Sequence, residues 1–381
     1  MSYKYHIQYQ AIERANTILP VPADYPLKPG VYAAFRADFT RLTELIKKIY
    51  LDISERPESY GLLLLPITEG KGLTDSFNSL RKPLYVLYAL ARSGVIENSA
   101  LRVHIPVFKE NVKQAKPGKL TQYNLIMDKL SELGFEFNGH NAKGFNKGQD
   151  HFTAGFPSDP AVIRALKTFA DCCAEHQNSL YGEDADNPYK LFTLMDYKYT
   201  ADLNKLPEIT WVHDCVRFWE DEARAFYVAF YKQATVNPQI RWESTEYKGD
   251  FFKGKKHIAR IKFADTMWKF NVVYITNPEY RDIMKNVDGY GNVVLSLHLY
   301  LPVKGKEDRF EKLPPHIIEY MKSKKCGDCD TFSGKKDRND GKCPHTVYWT
   351  HNNGEQRGCS YHCFDFEKPK VEDVPAYCDM L

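Results

Sequence analysis

Apolar positions along the chain change their period several times, and each change marks an element. Val31, Phe35, Phe39, Leu42, Leu45, Ile49 and Ile53 recur at three- and four-residue steps, the spacing of one stripe on a long helix. Residues 1–30 before it are Pro-rich after a strand-like start and read as surface chain. Lys82-Pro83 opens a second helix, because the N–H that proline lacks has no partner in a first turn anyway, and Gly94 ends it. Thr121 is placed to cap a third helix over Gln122–Leu133, closed by Gly134. Phe135–Phe137 then reads as a strand and His151–Thr153 as its return, around a loop of Gly, Asn and Lys. Helices followed by a hairpin is the order of a winged helix, so a winged-helix-like segment is one reading of residues 82–156; a helical subdomain with a single hairpin is the other.

Ser158-Asp159-Pro160 starts another helix, with Val162, Leu166, Phe169 and Cys173 as its apolar stripe. An acidic, Asn-containing connection over Glu183–Asn187 is the candidate boundary. A helix is expected from Pro207 towards Lys232, with Val212, Val216, Trp219, Phe226 and Phe230 on one side. From Gln239 to Val303 the period becomes two: His257–Phe263 and Trp268–Ile275 read as a hairpin, and Val293–Leu301 as a further strand. The expected fold is therefore mixed α+β. It comprises a mainly helical domain over 1–182, an α+β domain with a small antiparallel sheet over 188–323, and a Cys-rich, zinc-ribbon-like module over 324–381.

A length of 381 residues with 43% hydrophobic content suits two cores plus a small module. The apolar runs Leu62–Ile67 and Val293–Val303 fall short of the roughly 20 residues a bilayer span needs, so both read as buried strands. The start Met1–His6 has no apolar core behind a basic head, which leads to a cytoplasmic expectation with no membrane partner. Aromatic residues at 14% fill cores as readily as they stack on bases. The net charge of +3 is small for this length, so the whole chain is not an obvious polyanion binder.

Six of the nine cysteines fall between Cys326 and Cys378. Cys326-Gly327-Asp328-Cys329 has the spacing of a metal knuckle, and an odd cysteine count without a secretion signal favours thiolates and metal over disulfides. One structural Zn²⁺ is expected on Cys326, Cys329 and Cys343, with Cys359 or Cys363 as the fourth ligand. Thr346–Thr350 and Gln356–Tyr361 would form a hairpin around Asn352-Asn353-Gly354 that brings the second cysteine region back. His345, His351 and His362 are substitute ligands, and Cys378 is expected as a free thiol.

Two basic stretches are candidate nucleic-acid contacts. Lys143 and Lys147 lie on the expected wing, although the helix before it carries Asp128, Lys129 and Glu132 and is slightly acidic. Lys253, Lys255 and Lys256 sit in a run with Lys248, Arg260 and Lys262, interleaved with Tyr247, Phe251 and Phe252, a pattern that can track a strand and stack its bases. A solvated face is the plainer reading of both. The wing loop lacks the Lys-Ser/Thr and following helix of a phosphate loop, and its flanking His140 and His151 lack a third ligand. His213-Asp214-Cys215 are neighbours on a helix and cannot face one another. The expectation is a non-enzymatic, zinc-stabilised protein acting through macromolecular contacts, nucleic acid or protein, with nucleic-acid-associated regulation among the roles it admits. An enzyme with its site in an inter-domain cleft, or a protein-binding adaptor, is the alternative.

Overall fold

The computed structural model describes residues 3–67, 73–114, 123–141, 143–175, 188–202, 204–217, 219–245, 248–264, 280, 294–300, 313–323, 346–351, 354–359 and 364–381. The chain forms two compact units, one of residues 1–207 with 267–291, the other of residues 208–266 with 292–381. Both are mixtures of helix and small antiparallel sheets. Among the described residues no helix is long and apolar enough to cross a membrane.

The first unit begins with α1 (His6–Thr17), where the sequence suggested a strand-like surface segment. Gln8 Oε1 accepts from the backbone N–H groups of Lys4 and Tyr5, which satisfies donors that the helix start leaves open. The helix is buried on nearly every side, and its polar residues His6, Gln10, Glu13 and Arg14 hide the apolar period. Arg14 donates to the carbonyls of Thr193 and Leu194, and Tyr9 stacks on Tyr280 at 4.7 Å. The long stripe at 31–53 is α2 (Phe35–Glu55), followed by α3 (Leu73–Leu80) and α4 (Lys82–Ser93) with its early proline. Within Leu62–Ile67 Pro66 makes an isolated antiparallel bridge with Tyr5 and Leu63 is exposed, so that apolar run is irregular chain rather than a buried strand.

From α4 the chain enters β1 (Gly94–Glu97), β2 (Ala100–His104), α5 (Ile105–Gln114) and α6 (Tyr123–Glu132). Next come β3 (Glu136–Asn138), the short pair β4 (His140–Asn141) and β5 (Gly144–Phe145), and β6 (His151–Gly155). The sheet order is β1-β2-β6-β3. Leu101 faces Ala154 across β2 and β6, Val103 faces Phe152, and all four are buried. A slip of one residue would turn Arg102 and Thr153 into that core instead, which pins the register. Then α7 (Ala161–Glu175) starts where Asp159 Oδ1 accepts from Ala161 N, and it buries Val162, Leu166, Phe169 and Cys173 as its spacing requires. Arg164 on α7 reaches the buried Asp38 of α2 at 3.0 Å. After α7 comes α8 (Pro188–Leu194); the connection at 183–187 lies outside the described residues.

The second unit opens with two helices where one was expected, α9 (Glu208–Cys215) and α10 (Asp221–Ala234). Arg217 caps the first by donating to Asp214 O and Oδ1, while Asp221 and Glu222 favour a fresh N-terminus. The apolar stripe runs on through the break and conceals it. Strands β7 (Ile240–Thr245), β8 (Lys248–Lys253), β9 (Lys256–Ala264) and β10 (Val294–Leu299) follow. After α11 (Pro315–Ser323) come β11 (Thr346–His351), β12 (Gly354–Cys359), β13 (Phe364–Glu367) and α12 (Val374–Asp379). The main sheet has the order β13-β10-β9-β8-β7, all antiparallel. Strand β9 is paired with β8 and β10; the expected partner at Trp268–Ile275 lies outside the described residues. The chain end belongs to this unit: Phe366 and Phe226 both pack on Tyr377. Cys378 is a free thiol, as expected, and burial pushes it up to about 12.

Gly249 permits the close approach of α10 to this sheet. A Cβ there would meet Tyr227 Oη at 2.0 Å and its ring at 2.6 Å, and the hydroxyl is held by Trp242 Nε1 at 2.8 Å. Gly249→Ala should therefore cost about 2–3 kcal/mol by overpacking. Denaturant unfolding would check this; a wild-type midpoint would mean that Tyr227 moves aside freely.

Candidate nucleic-acid interface

The excursion between β3 and β6 is held by one aromatic side chain. Phe145 contacts Phe152 at 5.0 Å, His140 at 5.0 Å and Phe108 at 6.0 Å between ring centres, so the loop is pinned to the core at its midpoint. His140 also hydrogen-bonds Asn124 Oδ1 of α6 at 2.9 Å, tying the loop to the helix. Burial lowers the pKa of His140, against the opposing pull of Asp128. Gly139 has φ 99°, and a Cβ there would lie 2.9 Å from Gln149 Oε1 and 3.1 Å from Phe152 Cβ. The loop can fold back this tightly only on glycine.

This anchoring leaves Lys143 and Lys147 on either side of Phe145, both exposed and neither in an ion pair among the described residues. Lys143 sits in the turn joining β4 to β5, where its N–H bonds Asn141 Oδ1. Lys109 of α5 lies 5.3 Å above the Phe145 ring. Along α6, Lys129 is bound to Glu132 at 2.6 Å and Asp128 is half-buried, so the helix offers no unpaired cation. Charge for a polyanion comes from the loop and from α5. The second flanking histidine, His151, is not beside His140; its neighbour is His104 on β2.

Lys253, Lys255 and Lys256 occupy the tip of the β8–β9 hairpin. Lys253 pairs with Lys256 across the two residues Gly254-Lys255, and Gly254 at φ 61° supplies the conformation that such a turn needs at its first central position. All three lysines are exposed. The rings of this stretch divide between faces: Phe251 is buried against Phe230, whereas Phe252 lies on the polar face between His257 and the Arg241 guanidinium. With both flanks occupied, Phe252 is a poor platform for a base. Tyr247 lies outside the described residues.

The same polar face carries a dense group that the sequence did not announce, because its members come from three strands. Asp250 receives Arg260 Nε, lies 2.9 Å from His257 Nε2 and 3.3 Å from Lys248 Nζ. Burial alone would raise its pKa, but the bonds from His257 and Arg260 and the charges of Arg260 and Lys248 outweigh burial and hold the carboxylate well below its usual range. His257 is clamped between Phe252 and Tyr300. Nearby His298 is pushed down to about 4 by burial, then by Lys262, Arg260 and His257. It is a neutral imidazole at pH 7. The imidazole of His257, held against the Asp250 carboxylate, is of the kind that can move a proton, a feature that an enzyme would use.

The cysteine expectation falls mostly outside what the structure describes. Cys326, Cys329, Cys343 and Cys363 lie beyond the described residues, and Cys359 is described only as backbone, at the end of β12 opposite Thr346. The β11–β12 hairpin does occur, with Gly354 paired opposite His351 rather than lying in the connection; Asn352 and Asn353 lie outside the described residues. Among the described residues no group of three or more His, Cys, Asp or Glu is placed to hold a metal. His213 is exposed and Cys215 buried, so that trio does not converge. No family model, curated protein or solved structure matches the chain.

His298 makes stability depend on pH in a defined direction. Its folded pKa lies below that of a free imidazole, about 6.5, so between pH 6.5 and 4 the unfolded chain binds more protons and stability falls as the pH is lowered. Urea unfolding should show this slope, and His298→Gln should remove part of it. An unchanged slope in the variant would place the effect elsewhere.

Proposed function

We propose that residues 82–156 are a winged helix and that the protein acts, without catalysis, through contact with duplex nucleic acid. The observation that carries this reading is the strand order β2-β6-β3 around α5 and α6, with an anchored, lysine-bearing excursion between β3 and β6. In this reading α4, α5 and α6 are the three helices, β2 is the strand between the first two, and Gly139–Asp150 is the wing. Lys143 and Lys147 contact phosphates from the wing, with Lys109 of α5 beside them and Lys113, which is exposed and loosely paired with Glu110 at 3.8 Å, one turn further along α5. The acidic character of α6 argues that binding is mainly to the backbone rather than to base edges.

The reading makes affinity steeply salt-dependent. Two to four neutralised phosphates give a log–log slope of about −2 to −3.5 for duplex DNA. Replacing Lys143 and Lys147 by Glu should reduce that slope by about 2 and leave the melting temperature within error, since exposed charges contribute little to folding. No duplex binding at low salt would end the proposal. So would unchanged affinity in the double variant.

Structural zinc remains part of the proposal. Cys326, Cys329 and Cys343, with Cys359 or Cys363, would bind one Zn²⁺ through four thiolates and leave no open position for chemistry. The β11–β12 hairpin supports it by folding the chain back at the right place. Elemental analysis should find close to one zinc per chain, and Cys329→Ser should lose it. A metal-free, folded segment over 326–363 under reducing conditions would contradict this. Cytoplasmic residence, which suits reduced thiols, belongs to the same proposal.

A further inference from the structure

His104 and His151 are direct cross-strand partners at the root of the excursion, on the side of the sheet opposite Val103 and Phe152. Both are half-buried, and neither ring has a hydrogen-bond or ion-pair partner among the described residues. Their ring centres are 4.9 Å apart and their planes meet at 55°, so they are not stacked. That separation can be compared with a shared ion. A nitrogen–metal bond of about 2.0–2.1 Å, with the ring centre about 1.1 Å beyond the nitrogen, places two imidazoles joined at roughly 90–110° about 4.5–5.2 Å apart, centre to centre. The observed distance falls inside this interval.

We propose that His104 and His151 form a two-point site for a late divalent transition ion such as Ni²⁺, Cu²⁺ or Zn²⁺, with water in the remaining positions. Imidazole suits these ions, and antiparallel pairing holds the two ligands at fixed separation. Ile105 N donates to Asp150 O at 2.8 Å next to the pair, so an ion here ties β2 to β6 where the excursion leaves the sheet. The site is independent of the nucleic-acid reading and of the cysteines.

The test uses the full reduced chain, first given one equivalent of Zn²⁺ to satisfy thiolates, and then titrated with Ni²⁺ alone. Calorimetry should show a Ni²⁺ event that weakens about tenfold or more in His104→Asn and equally in His151→Asn, because loss of either ligand removes the intramolecular second contact. In wild-type protein the ring signals of both histidines should broaden together at substoichiometric Ni²⁺, a readout that needs no variant. Unchanged binding in both variants, a loss of only about twofold in each as for independent ligands, or broadening of one ring alone would overturn the proposal.

Discussion

The two larger sheets each turn one apolar face to packed helices, and that constraint decides where function can reside. In the first unit Leu101, Val103, Phe152 and Ala154 turn to the helices. In the second, Phe251, Ala259, Ile261, Leu297 and Phe366 do so. Each buried large side chain is worth about 1.5–3 kcal/mol, so neither register can slip without losing several of them. The alternate positions are left to polar chemistry. They carry His104 with His151 in one unit and Asp250, His257, Arg260 and His298 in the other.

The anchored excursion follows from the same economy. A glycine-rich loop would ordinarily wander, but Phe145 packs one large, half-buried ring against the core and His140 bonds α6, so two exposed lysines are presented from an anchored loop. The hairpin tip of the second unit is the contrasting case. Its lysines are equally exposed, yet the ring beside them is occupied by His257 and Arg241. Charge is common to both places; fixed geometry next to free cations favours the excursion.

How much of this could be read beforehand depends on the signal each element sends. The stripe at 35–53, the early proline of Lys82-Pro83, Asp159-Pro160 before α7 and the return of β6 onto β3 were all legible, since caps and periods are local. The start α1 was missed because His6, Gln10, Glu13 and Arg14 are buried with partners rather than exposed, so its polar residues mimic a surface segment. The short strands β1 and β2, and α5 after them, gave too few periods to stand out. Lys143, Lys147 and the 253–256 lysines were legible as charge, but not the splitting of Phe251 from Phe252 between faces. The His104–His151 pair was invisible because register joins residues far apart in sequence, and the Asp250 group because its convergence depends on the β8–β9 register and on His298 from a third strand.

The central claim is that α5 and the excursion form one surface for a duplex. Hydrogen–deuterium exchange of the full chain with and without a short DNA duplex at low salt tests it directly. The account predicts added protection over Ile105–Gln114 and Gly139–Asp150, with the hairpin at Lys253–Lys256 unchanged. Protection confined to Lys253–Lys256, or none over the excursion while the duplex is demonstrably bound, would contradict it.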